Sequence, residues 1–191
     1  MLQDKPGIFV HLDWFADSQH SHQLSPAAIR AVVEAFAAAP FVSKTGSVGI
    51  NLHVDQGPSS ILDHATNRTW GALSRANQLQ HVDRLGVDIG DDYDWHAFQG
   101  LKDAHFTPTG RAPVFRYAIA AHYYGNTCSS GISRGIGGSD FIVSSAGYDG
   151  GVASTIQQAR TFMHELGHNL GLRHGGSDDL HGKPNYLSTM N

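Results

Sequence analysis

The chain has 191 residues, 40% hydrophobic and only 16% charged, and no apolar run approaches the roughly 20 residues that a membrane-spanning helix needs. That balance describes one globular domain and excludes a largely disordered chain and a membrane span. The formal charge is −4, and no Lys/Arg cluster offers the electrostatic stripe that binds a phosphate backbone, so nucleic acid is excluded as a partner.

The first residues, MLQDKPGIF, lack a basic segment, an apolar stretch and a small-residue cleavage site, so no signal peptide is read there. Scarce Lys and Glu beside 22 Gly nevertheless lead us to expect a secreted or extracellular protein whose leader has been removed. Gly7 to Asp13 reads as a first strand. Ser25 is a candidate N-cap and Pro26 suits a first helical turn. Ile29, Val32, Val33 and Phe36 then recur at helical spacing, which predicts a helix over 26–39, blocked by Pro40, with Glu34 on the wet side.

Val48 to Asp55 alternates apolar with polar residues, the period of a strand with one covered face. From Gly57-Pro58 to Leu85 no period emerges. The acids Asp88, Asp91, Asp92 and Asp94 then precede a short helix showing Trp95, Phe98 and Leu101 on one side, ended by a turn at Thr107 to Gly110. Val114 to Tyr124 predicts an interior strand, Gly125 to Gly138 an irregular Gly/Ser-rich rim, and Phe141 to Val143 another strand. After a turn at Gly147 to Gly151, a second helix is expected over 155–170. Its apolar side would carry Ile156, Ala159, Phe162, Met163, Leu166 and Leu170.

That helix carries the decisive segment, His164-Glu165-Leu166-Gly167-His168-Asn169-Leu170-Gly171-Leu172-Arg173-His174. Two histidines four apart on a helix share a face and can hold one zinc ion. Gly171 lets the chain turn so that His174 can return as a third nitrogen ligand. Glu165 sits beside them, where a carboxylate can take a proton from a zinc-bound water. Composition does not explain the pattern, because the five fixed positions would arise by chance in roughly one such chain in 15,000. Only Glu34 and Glu165 are glutamates, so a downstream Glu ligand is excluded; Asp178 or Asp179 remains an alternative third ligand. With Cys128 the sole cysteine, a Cys-rich zinc or iron-sulfur site is excluded as well.

The motif from His164 to His174, followed by Ser188-Thr189-Met190, resembles the metzincin clan of zinc-dependent metalloendopeptidases. The resemblance implies an α+β (mixed) fold of the zincin type, with a twisted mixed sheet, an active-site helix and a short C-terminal lobe. It implies one catalytic domain over 1–191, with 1–170 as upper lobe and 171–191 as lower lobe containing a methionine turn at Met190. Typical members continue into another helix, so a truncated domain is expected. The implied activity is hydrolysis of internal bonds in an extended peptide or protein by Glu-assisted attack of a zinc-bound water. His164, His168 and His174 would be metal ligands, Glu165 the catalytic residue, and one Zn²⁺ the catalytic ion. A zinc amidase acting on a non-protein amide and a catalytically silent zinc-containing peptide-binding domain are the alternatives.

Clan members hold substrate beside an edge strand, and Ser129 to Gly138 is the candidate for that rim, against a plain flexible glycine loop. His53 with Asp55, the acids from Asp88 to Asp94, and His122 are weighed for a structural Ca²⁺ or second Zn²⁺, without ligands being assigned.

Overall fold

A computed structural model describes residues 5–90, 92–126, 129–145, 148 and 153–191. Expectations for Cys128, Asp91 and most of the turn at 147–151 lie outside the described residues. In chain order the elements are β1 (Gly7–Ala16), α1 (Pro26–Ala37), β2 (Asn51–Asp55), β3 (Ile61–Asp63), β4 (Arg68–Thr69), β5 (Gln78–Gln80), β6 (Asp88–Ile89), β7 (Asp92–Tyr93), α2 (His96–Leu101), β8 (Phe115–Ala121), β9 (Gly131–Ser133), β10 (Asp140–Ser144) and α3 (Thr155–Asn169). The fold is mixed α+β, as expected. Among the described residues, no helix is long and apolar enough to cross a membrane.

The main sheet runs β2-β1-β8-β10-β9, and β5 pairs with the far end of β1. The pairings of β1 with β2, β5 and β8, and of β8 with β10, are parallel; β9 alone is antiparallel, at the edge. Parallel strands are buried on both faces, and the side-chain alternation shows it. Val10, Leu12, Ala118, Ala120, Phe141 and Val143 face the core under α1 and α3, with Phe36, Phe162 and Leu166. Tyr117, Ile119, Ala121 and Ile142 face a second core with Phe98 and Phe106.

On that second face β1 places His11 and Asp13, both fully buried. Asp13 accepts hydrogen bonds from Tyr117 Oη (2.9 Å) and the Asn77 N–H (2.6 Å), and its Oδ1 lies 2.8 Å from His11 Nε2. Buried Asp55, at the end of β2, meets Arg111 at 2.6 Å and Ser74 Oγ at 2.6 Å. Buried charge is tolerated where each oxygen has partners of this kind.

Both long helices start where expected. Ser25 Oγ accepts from the Ala28 N–H at 3.2 Å, and Ser154 with Gln157 forms a reciprocal capping box. Four expectations shift. Helix α1 ends at Ala37 rather than at residue 39. The strand expected from Val48 begins at Asn51, because Gly49 and Ile50 donate their N–H groups to Phe41 and Phe36 rather than joining β1. Ile156 and Leu170, expected on the buried side of α3, are exposed. Similarly, Val114 lies exposed before β8.

Ser154→Ala removes the oxygen that accepts the Gln157 N–H and should cost about 1 kcal/mol of stability. A melting temperature lower by ~2–4 °C is expected for a chain of this size, measured by differential scanning calorimetry.

Candidate metal centre and catalytic cleft

Helix α3 supplies the first two histidines from adjacent turns, with their rings 4.7 Å apart and Nε2 atoms separated by 3.1 Å. The helix ends through hydrogen bonds from Leu170 and Gly171 to the carbonyls of Gly167 and His168. Gly171 takes φ +94°, a left-handed conformation that glycine adopts without steric cost. Arg173 and Gly176 then exchange two backbone hydrogen bonds of 2.8 Å, and the tight turn between them presents His174. Its ring centroid lies 5.2 Å from that of His164 and 4.9 Å from that of His168. All three therefore converge, each offering a nitrogen within 4.8 Å of the others.

The outer ring nitrogens are occupied. His164 Nδ1 is 2.7 Å from the Thr189 carbonyl and His168 Nδ1 is 2.8 Å from that of Leu172. A carbonyl only accepts, so each Nδ1 carries the hydrogen and each Nε2 keeps its lone pair for the cleft. This outer-nitrogen bonding is how metal-ligating imidazoles are oriented. Burial lowers the pKa of His168 and His174, with neighbouring imidazoles adding to the shift, so both favour the neutral, ligating form. Nitrogens bound about 2.0–2.1 Å from one tetrahedral zinc sit ~3.3 Å apart, close to the separation found here, so the residues fit the metal.

Glu165 is buried, and burial pushes its carboxyl up to about 8. It lies against β9: a Cβ on Gly131 would come within 2.7 Å of Glu165 Cγ and Oε1, so only glycine permits this approach. Beneath the helix Met190 is buried, with its sulfur against Gly167. Thr189 thus reaches His164 through a hydrogen bond, and Met190 packs against the helix at Gly167, between the two histidines. The surrounding cleft, about 480 Å³, is lined by β9, α3, His174, Asp179 and Thr189. The rim expected at 129–138 contains the short edge strand β9 rather than only irregular chain.

The remaining acidic and histidine candidates have other partners. Asp55 is taken up by Arg111, Ser74 and backbone N–H groups, and His53 Nδ1 bonds the Leu62 carbonyl. Asp88 accepts the backbone N–H of the distant Asn126, and Asp92 and Asp94 accept those of their near neighbours Tyr93 and His96. Sequence reasoning did not single out His181, whose ring lies 4.2 Å from that of His174, nor Arg160 and Tyr148 at the cleft. His181 and Tyr148 lie outside the motif in segments without a periodic signal, and Arg160 lies on α3 ahead of the motif, on a position its apolar period does not mark.

The model of the metallo-peptidase family M12B, reprolysin-like, matches residues 28–175, a span that takes in most of α1, all of α3 and all three converging histidines. No curated protein and no solved structure matches the chain. With the match covering most of the sequence, the chain belongs to the reprolysin-like metallopeptidases of family M12B, within the metzincin clan, and is a zinc metalloendopeptidase.

Proposed function

We propose that the protein cleaves internal bonds of extended peptides, with His164, His168 and His174 as zinc ligands and Glu165 as general base. The observation that carries this reading is the convergence of three imidazoles and one buried carboxylate in a cleft bordered by an edge strand. Zinc supplies Lewis acidity there, polarising the scissile carbonyl and making water a better nucleophile. Glu165 takes the water's proton as its oxygen attacks the carbonyl carbon. It then gives that proton to the amine nitrogen as the C–N bond breaks. A nearby dication also favours the ionised form of a carboxyl that burial alone would keep protonated.

The outer edge of β9 supports a peptide over a non-protein amide, because the main chain of an edge strand can pair with a substrate laid alongside as an added strand. In this reading residues 1–170 form an upper lobe and 171–191 a lower lobe closing the cleft. Export rests on composition alone, and fractionation of intact producing cells tests it.

Glu165→Gln keeps the side chain's size but cannot accept the proton. It should retain zinc and melting temperature while turnover of a peptide library, followed by mass spectrometry, falls about 10²–10⁴-fold. Near-normal turnover by the folded, zinc-loaded variant would reject Glu165 as the base. Gly131→Ala forces β9 and Glu165 apart. With zinc content unchanged, kcat/KM should drop on the order of 10²-fold, the usual scale for displacing a reacting group by about 1 Å.

A further inference from the structure

Four other histidines meet away from the catalytic cleft. His20 and His22 follow β1, His81 follows β5 and His122 follows β8. These strands run parallel, so their C-terminal ends lie together at one end of the sheet and bring distant residues to one place. The loop after β1 folds back, with the His22 N–H donating to the Phe15 carbonyl at 2.9 Å, which sets both of its imidazoles over that end. All six ring pairs have centroids between 4.5 and 5.9 Å apart.

His22 Nε2 lies 3.1 Å from His81 Nε2 and 3.2 Å from His122 Nδ1. The first separation equals that between His164 and His168 at the catalytic centre. One imidazole nitrogen carries either a hydrogen or a lone pair, and cannot make a full hydrogen bond with two other ring nitrogens at once. A cation between them satisfies all three. Asp17 supplies an independent observation: its oxygens lie 3.0 Å from His20 Nδ1 and 3.4 Å from His81 Nδ1. That leaves the Nε2 atoms of both rings free to ligate, the carboxylate–histidine arrangement that orients metal ligands. The carboxylate is fixed in turn by accepting the N–H groups of Gln19 and His20.

We infer that His20, His22, His81 and His122 form a second metal site, separate from the catalytic one, that holds a divalent transition-metal ion, Zn²⁺ in preference to Ca²⁺, with Asp17 orienting two of its ligands. The preference follows from the donors. Imidazole nitrogen suits zinc, whereas calcium requires six to eight oxygens. The ion clamps the loop between β1 and α1 to the ends of β5 and β8, a structural task requiring no open coordination position.

The test is zinc stoichiometry by mass spectrometry of the full chain after equilibration with ZnCl₂ and gel filtration. About two ions per chain are expected for the wild type and about one for His164→Ala/His168→Ala. His20→Ala/His81→Ala should also hold about one ion and keep its peptidase turnover. Asp17→Asn should weaken zinc at this site ~10–100-fold in competition with a chelator, while the catalytic ion is retained. A wild type binding one ion that His164→Ala/His168→Ala loses would overturn the second site and leave the catalytic reading standing. One ion kept by that variant would support the second site and count against the catalytic ligands. If His20→Ala/His81→Ala does not fold, the stoichiometries of wild type and His164→Ala/His168→Ala still decide.

Discussion

The cleft depends on helix α3 being held against the edge of the sheet at a fixed depth. Near the helix C-terminus, the Asn169 amide donates to Ser133 Oγ at 2.6 Å and to the Asp140 carbonyl at 3.2 Å, tying the helix to β9 and to the start of β10. Near its N-terminus, Gln158 accepts from the Ser25 N–H at 2.8 Å, and Ser25 is the residue that caps α1. Between these tethers Phe162 and Leu166 bury themselves in the core beneath the sheet. A helix so constrained cannot roll, and its opposite face has to present His164 and His168 to the same point. The precision with which the two imidazoles meet is thus a property of the packing behind them.

The sheet meets a different constraint. Its second face combines aromatic packing with buried polar groups: Tyr117 stacks on Phe106 at 4.8 Å while its hydroxyl donates to Asp13. Burial and the adjacent Asp13 hold the Tyr117 phenol well above its usual range, so it remains a donor. Removing either partner would strand a buried polar group, which costs more than the hydrogen bond gains when present. Such a network favours one register between β1 and β8, because a shift of one residue would turn Asp13 and Tyr117 to opposite faces.

What could be read from the sequence was local. Helices α1 and α3 announce themselves through a serine cap and a 3.6-residue apolar period, and His164, His168, Gly171 and His174 lie within 11 consecutive positions. His11 and Asp13 hid in an alternation that would normally place them in water; α2 and its continuation through Phe106 cover that face instead. Strands β3 to β7 have two or three residues each, too few to show a period. The four-histidine cluster was invisible for another reason. Its members follow three strands far apart in sequence, and only the order of the sheet makes them neighbours.

The short strand β9 also bears on how selectivity can arise. Gly131 has no side chain and faces Glu165, Ile132 packs into the second core, and Ser133 Oγ is engaged by Asn169. With the Gly131 and Ser133 side chains absent or engaged and Ile132 only partly exposed, this edge offers mainly peptide groups. An extended chain aligned there would be measured by its backbone shape, and a proline facing the strand would forfeit an N–H that the edge could accept. Discrimination between amino acids is left to the walls, where Arg160 and Asp179 bring opposite charges to the cleft. Conformation and residue identity would then be read by separate parts of the molecule, and the walls could diversify without disturbing the contact between Gly131 and Glu165.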